Sequence, residues 1–273
     1  MENHNWAAVH GSPSAPFING TLLVAGAHAE QAFTPPGVHP SEPNYIWLEA
    51  GTSFGITDGN EPSLNHQAST DHLVTALEKA GRSWRSYQED ISGTDCPLTA
   101  VNKYAPKHNP MVFFDDVTDM NSPTSSHCIA HVRPFAELAA DLANDTVADY
   151  NFVTPNLCND SHDSCPPLND SIKQGDDWLA AAVPAITSSM AYARGGVVIV
   201  AWDEGVNNSD GPIGLIVLSK SAKAGHSGVV HYTHSSTLKT VQEILGVSPF
   251  IGQAADPSTS DLSDLFVTLP LPN

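Results

Sequence analysis

The sequence predicts an α/β fold with a mostly parallel sheet covered by helices. Short apolar, β-branched runs alternate along the chain with segments whose apolar residues recur at helical spacing, which is the pattern of strand–helix–strand units. The run Gly196-Val197-Val198-Ile199-Val200-Ala201-Trp202 carries no charged or amide side chain and reads as a central strand buried on both faces. Asp203, Glu204 and Gly205 follow at once, at the carboxyl end of the strand, where open α/β sheets bind their ligands. Two adjacent carboxylates repel each other unless a cation neutralises them, so this strand end points to a metal site.

Taken in order, residues 6–40 are rich in Gly, Pro, Ala and Ser, with an apolar piece at Thr21–Ala25; they read as loop and short helix. Asn44–Glu49 follows Pro43 and reads as a helix entered from a proline turn. Thr70–Ala80 places Leu73, Val74 and Leu77 at helical spacing, with Gly81 as its stop. Ser83–Tyr87 and Met111–Phe114 read as strands, the second ending in Asp115-Asp116. Phe135–Ala143 is an amphipathic helix, Tyr150–Thr154 a strand that breaks at Pro155, and Trp178–Met190 a helix. Val197–Trp202 and Ile213–Leu218 are strands, and Ser236–Leu245 is a helix stopped by Gly246. No internal repeat or charge-run linker divides the chain, so residues 1–273 read as one domain.

The chain has 273 residues, 41% of them hydrophobic and 15% charged, enough for one large α/β core. No run of about 18 apolar residues appears, which argues against stable insertion in a membrane. The net charge is −19 with only 11 Lys and Arg, which argues against nucleic acid, whose phosphates demand a basic face. Cys96, Cys128, Cys158 and Cys165 form no CxxC pair, so a structural zinc site is not expected. Four cysteines in an acidic, Asn- and Pro-rich chain suit two disulfides, Cys96 with Cys128 and Cys158 with Cys165, in a secreted or periplasmic protein; four free buried thiols are the alternative. The chain opens on the polar Met1-Glu2-Asn3-His4 with no apolar strand before it, so either a leader has been removed or a longer sequence precedes it.

Several groups carry chemistry. Glu2 and Asn3 offer hard oxygen donors for a divalent cation, or are merely a solvated terminus. Ser41 lies between Pro40 and Pro43 at the start of a helix; it is a nucleophile held where amide N–H groups favour an anion, or a plain N-cap. Lys107, His108 and Asn109 share one loop and are either phosphate contacts or an exposed turn. Asp160, His162 and Asp163 crowd the loop after Tyr150–Thr154, as metal ligands, as an acid–base pair or as polar surface. His234 precedes the last helix, as a ligand, a proton donor or part of a helix-capping loop.

The ordered series Glu2-Asn3-His4, His39-Pro40-Ser41-x-Pro43-Asn44-Tyr45, Ser83-Trp84-x-x-Tyr87-x-Glu89, Tyr104-x-x-Lys107-His108-Asn109-Pro110, Pro155-Asn156-Leu157-Cys158-Asn159-Asp160-x-His162-Asp163, Gly175-Asp176-x-Trp178-Leu179, Trp202-Asp203-Glu204 and Tyr232-Thr233-His234 resembles the phosphoesterase family of acid phosphatases and phosphatidylcholine-type phospholipases C. The resemblance covers nearly the whole chain and is nearest the small acid phosphatases. It implies a three-layer α/β/α alkaline-phosphatase-like sandwich. It implies one divalent metal ion (Mg, Ca, Mn, Zn or Fe) held by Glu2, Asn3, Asp203 and Glu204, with Ser41 as nucleophile. In related nucleotide pyrophosphatases a threonine before Phe-Pro-Asn holds the place of Ser41, and Asp203-Glu204-Gly205 stands in the frame of an Asp-His-Gly metal motif. His162, Asp163 and His234 would surround the phosphate. Family members carry an apolar strand before the Glu-Asn-His motif, and here that strand is missing.

The expected reaction is hydrolysis of a small phosphate ester through a phosphoseryl intermediate. Ser41 attacks in line, His108, Asn109 and Asn44 stabilise charge on the phosphate oxygens, and His162 or His234 protonates the leaving group. Lys107, His39 and Asp163 complete the expected substrate contacts. A phospholipase C-type phosphodiesterase is the nearest alternative; a non-catalytic extracellular binding protein on a degraded phosphatase scaffold is the alternative from another class.

Overall fold

Unbroken apolar runs set two of the longer strands, Val198–Ala201 and Leu215–Leu218, of the chain, whose computed structural model describes residues 1–271. In chain order the principal elements are β1 (Ala27–Ala29), β2 (Ala32–Phe33), α1 (Ser41–Ala50), α2 (Leu73–Lys79), β3 (Trp84–Gln88), α3 (Ser126–His131), β4 (Val132–Pro134), α4 (Leu138–Asn144), β5 (Tyr150–Thr154), α5 (Ser171–Thr187), β6 (Val198–Ala201), β7 (Leu215–Leu218), β8 (His226–Gly228), β9 (Tyr232–Thr233) and α6 (His234–Leu245). Local chemistry sets the helix ends. Asp170 caps α5 by accepting from the Lys173 N–H. Thr233 and Ser236 form a reciprocal capping box on α6, which stops at Gly246 in the left-handed region. Helix α1 stops at Gly51, φ 65°, where a Cβ would lie 2.8 Å from the Ile251 carbonyl oxygen; only glycine fits.

The strands form a four-stranded sheet, β6-β7-β1-β8, a three-stranded sheet, β4-β3-β5, and a small pair, β2-β9. Pairing is parallel everywhere except at β7, which runs antiparallel to both β6 and β1. Each larger sheet has its own core. One gathers Trp6, Ile18, Leu22, Trp202 and Leu215–Leu218. The other gathers Ile46, Leu73, Leu77, Trp84, Val112, Phe113 and Leu238. At roughly 25 cal/mol per Å² of apolar surface, these clusters are the main stabilising force.

Between the two sheets, β5 and β6 line one apolar cavity of about 540 Å³. Met1 stands at its end. The Met1 amino group donates to the Ala201 carbonyl at 2.9 Å, and the Asp203 N–H donates to the Met1 carbonyl at 3.0 Å.

Three sequence expectations are corrected. Met111–Phe114 is no strand: Pro110–Phe113 forms a 3₁₀ turn whose four residues are all buried. An unbroken apolar run cannot by itself distinguish the two, and Pro110 presets a helical φ. Residues 6–40, expected as loop and short helix, hold the helical turns Ile18–Leu22 and Leu23–Ala25 but also the strands β1 and β2. The helix expected over Trp178–Met190 starts seven residues earlier, at Ser171, and ends at Thr187. Both expected disulfides are present, Cys96–Cys128 and Cys158–Cys165. Among the described residues, no helix is long and apolar enough to cross a membrane.

Candidate active site

Ser41 begins α1, and its side chain caps nothing. Its Oγ instead lies within hydrogen-bond distance of Glu2 Oε2 (3.1 Å) and Glu204 Oε1 (3.2 Å), either of which can accept its one proton. Two carboxylates from opposite ends of the chain thus converge on one buried hydroxyl. That arrangement suits a hydroxyl that must lose its proton, and it decides against the plain N-cap. Asn65 donates to the neighbouring Glu42 at 2.6 Å; burial raises Glu42 to about 8.

The end of β6 supplies Asp203 and Glu204. Asp203 Oδ1 accepts from the Asn3 N–H at 3.3 Å, while Asp203 Oδ2 has no partner. Glu2 Oε1, Tyr45 Oη and His108 Nε2 are likewise buried and unpartnered, and His108 Nε2 lies 3.3 Å from Glu2 Oε1. Asp160 is also fully buried and sits 3.0 Å from His108 Nδ1. Burial, then the charges of Asp203 and Asp160, pushes Glu2 well above the ordinary carboxylate range. Burial and then Glu204 raise Asp203, and burial lifts Asp160 to about 7. Four buried carboxylates held this close destabilise one another.

The orphaned atoms fit a divalent cation. Glu2, His108 and His162 each place a ligand atom within 4.8 Å of the others. Carboxylate oxygens with imidazole nitrogen suit Zn, Mn or Fe, and an all-oxygen subset would suit Mg or Ca. Burial, then the neighbouring Lys107 charge, holds His108 well below its usual value, so it is the neutral imidazole that a metal requires. Of the four expected ligands, Glu2, Asp203 and Glu204 converge. Asn3 reaches the group by its backbone N–H and sits at φ 47°.

The remaining residues divide. His39 bridges Glu204 (2.6 Å) and Asp210 (2.8 Å); burial opposes its charge, but these two carboxylates outweigh burial and raise it. Lys107 Nζ lies 3.5 Å from His162 Nε2, and His162 Nδ1 meets Asp163 at 2.8 Å. Lys103 in turn holds Asp163 at 2.9 Å. These form a half-buried wall beside Ser41's carboxylates. Three expected substrate contacts are engaged elsewhere. The Asn109 amide donates to the Tyr104 hydroxyl and its oxygen accepts from Ser86. The Asn44 amide donates to the Val38 and Pro40 carbonyls, bracing the turn before Ser41. His234 Nε2 meets the Asp203 carbonyl at 2.6 Å, and burial lowers it to about 4, so it is a neutral donor that fixes the loop carrying Asp203.

Sequence reasoning gave no role to Tyr45, which stacks on His108 with ring centroids 5.0 Å apart, or to Asp210, which holds His39.

The sequence profile of the Phosphoesterase family matches residues 14–248. A phosphatidylinositol-3-phosphatase of Mycobacterium tuberculosis is 33% identical over 264 residues, 96% of this chain and 80% of that protein. An acid phosphatase of Aspergillus fumigatus is 27% identical over 79% of this chain. The chain spans 47% of that fungal protein's length and 48% of a probable acid phosphatase of Kluyveromyces lactis. Among solved structures, a phosphonate monoester hydrolase from Silicibacter pomeroyi superposes with TM-score 0.59 at 12% identity, covering 98% of this chain and 75% of that one. Murine ectonucleotide pyrophosphatase/phosphodiesterase 5 does so with TM-score 0.51 at 11% identity, over 97% of this chain and 98% of that one. The fold is therefore that of the alkaline phosphatase superfamily, and by sequence the chain belongs to the Phosphoesterase family, a family of phosphate-ester hydrolases.

Proposed function

We propose that the protein is a metal-dependent phosphomonoesterase, with Ser41 as nucleophile and a phosphoseryl intermediate. One observation carries the reading: the Ser41 hydroxyl lies within hydrogen-bond distance of two buried carboxylates, beside a set of buried and unpartnered carboxylate and imidazole atoms. Glu2, Asp203 and Glu204, with His108, would hold the cation. When bound, such an ion neutralises a phosphate oxygen and lowers the pKa of the serine hydroxyl.

Ser41 Oγ attacks phosphorus opposite the ester oxygen, and its proton passes to Glu2 Oε2 or Glu204 Oε1. As the Oγ–P bond forms, the P–O ester bond breaks. His162, the most open histidine of the site, gives its proton to the leaving alkoxide. Water then attacks the phosphoserine, His162 takes up a water proton, and Ser41 regains its own as phosphate leaves. Lys107 supplies positive charge to the phosphate oxygens, while His39 and Asp160 keep Glu204 and His108 in place.

The substrate is a small phosphate monoester; the name of the mycobacterial relative favours an inositol-phosphate headgroup among the substrates to try. The net charge of −19 disfavours nucleic acid. Two disulfides favour a secreted or periplasmic protein.

Hydrolysis of an aryl phosphate should be compared with that of its bis-aryl diester, in chelator and in added divalent cation, alongside trapping of labelled phosphoenzyme. Cation-dependent monoester turnover with label on Ser41 is the expected outcome. Preference for the diester would move the protein to the phospholipase C side, and unchanged turnover by Ser41→Ala would overturn the mechanism.

A further inference from the structure

We propose that Glu78, His127 and His131 form a second cation site, built from none of the residues around Ser41, that takes a zinc-class divalent ion and ties α2 to α3.

His127 and His131 stand four residues apart in α3, so they share one face of the helix. Glu78 lies in the last turn of α2, 49 residues before His127. One ligand atom from each of the three lies within 4.8 Å of the other two. The frame beneath them is held firmly. Cys128, between the two histidines, is bridged to Cys96, and Ser125 caps α3 by accepting from the Cys128 N–H. The buried Trp84 ring stacks on His131 with centroids 4.4 Å apart and meets His127 edge-on at 6.0 Å.

The orientation of the rings points to a ligand. His127 Nδ1 faces the Asp116 carbonyl at 3.2 Å, and His131 Nδ1 faces the His127 carbonyl at 2.9 Å. A carbonyl can only accept, so each Nδ1 carries a hydrogen and each neutral ring keeps its lone pair on Nε2. Metal-binding histidines are held in this way, one nitrogen anchored as a donor and the other turned to the ion. The carboxylate is anchored too: the Trp84 Nε1–H donates to Glu78 Oε1 at 2.8 Å. His127 Nε2 lies 2.7 Å from that same oxygen. Without an ion this contact needs a proton between the two atoms, and a cation takes the proton's place. Glu78 is 39% exposed, so it can move by the roughly 0.7 Å that tetrahedral zinc spacing requires.

Another triad, His10, His28 and Glu30, meets the same spacing. Its His28 Nδ1 has no partner, so that ring lacks the anchor that both α3 histidines have. Two imidazoles and one carboxylate suit Zn²⁺ and its late first-row neighbours, whereas Mg²⁺ and Ca²⁺ favour all-oxygen sites. Three protein ligands leave a fourth position for water. The ion would clamp two helices that meet over the Cys96–Cys128 bridge.

Zinc titration of the chelator-treated protein, followed by NMR, tests the site. The probes are the ring signals of His127 and His131 and the indole N–H of Trp84. We expect all three to shift together and saturate at one ion per chain, with micromolar affinity, while millimolar magnesium leaves them unmoved. Glu78→Gln and His131→Gln should each weaken zinc at the remaining probes by at least about tenfold, with the rest of the amide spectrum unchanged. The proposal fails if zinc moves only His10 and His28, or only the residues around Ser41. It fails equally if the three probes respond only at millimolar zinc, if magnesium moves them as well, or if both variants bind as the parent does, since Glu78 and His127 would then be a surface ion pair and nothing more.

Discussion

Two buried clusters of carboxylate and imidazole, one around His72 and one around His108, are resolved differently. In the first, His72 lies between Glu49 (3.0 Å) and Asp116 (3.0 Å), caps α2 with its backbone and stacks on Phe114 with centroids 3.8 Å apart. Burial opposes its charge, yet the hydrogen bonds of Asp116 and Glu49 prevail and raise it to about 9. The protein carries its own counterion there. In the second, Glu2, Asp160, Asp203 and Glu204 outnumber their imidazoles, and His108 is held neutral. Glu49 Oε2 is the only orphan of the first cluster, whereas the second has orphans on Glu2, His108 and Asp203. The first cluster balances its own charge; the second leaves carboxylates in excess, and it is there that we propose a cation binds.

Substitutions can break this contrast. Ser41→Ala should lower phosphate-ester turnover by at least about a thousandfold while leaving the melting temperature nearly unchanged; a large stability loss instead would make Ser41 structural. His72→Ala should do the reverse. It strands Glu49 in a dry site, costing about 3–5 kcal/mol in denaturant unfolding, with turnover per folded molecule preserved.

Cation addition separates the clusters next. At a hundredfold excess over its dissociation constant, a bound cation should stabilise the native state by about 2.7 kcal/mol. Glu2→Gln and Asp203→Asn should abolish that response and, by removing repulsion, raise the melting temperature of the metal-free protein. His72→Ala should keep the response. Equal responses in all three variants would place the cation elsewhere.

The smallest effect is in pH. His72 has a folded pKa raised to about 9 from 6.5. Its contribution is therefore fully present below about pH 6.5 and is lost as pH rises through 9. It amounts to a few kcal/mol at most. Chemical denaturation of the parent protein against His72→Ala, from pH 6 to 10, should show the parent's advantage shrinking across that window. An advantage flat with pH would mean that His72 is neutral in the fold.

Much of the candidate site was legible because its residues sit at abrupt changes of chemistry: Asp203 and Glu204 end an apolar strand, and Ser41 lies between two prolines. Strand β1 was not legible. Its three residues, Ala27-His28-Ala29, are too short and too small to show a period, and only its neighbours β7 and β8 make it a strand. The roles of Asn109 and His234 were also hidden. Both lie in motifs full of polar residues, and only the fold decides that Asn109 faces Tyr104 and Ser86 while His234 faces a carbonyl. Composition indicates which groups have chemistry, but direction comes from packing.

The two disulfides act on different things. Cys96–Cys128 spans 32 residues and Cys158–Cys165 only seven, so the longer loop removes more entropy from the unfolded chain. The shorter one encloses Asp160, His162 and Asp163, and its effect is on preorganisation: it limits how far the proposed general acid, His162, and the buried Asp160 can drift. Opening the short bridge alone would release that loop and leave the Cys96–Cys128 restraint on the unfolded chain intact.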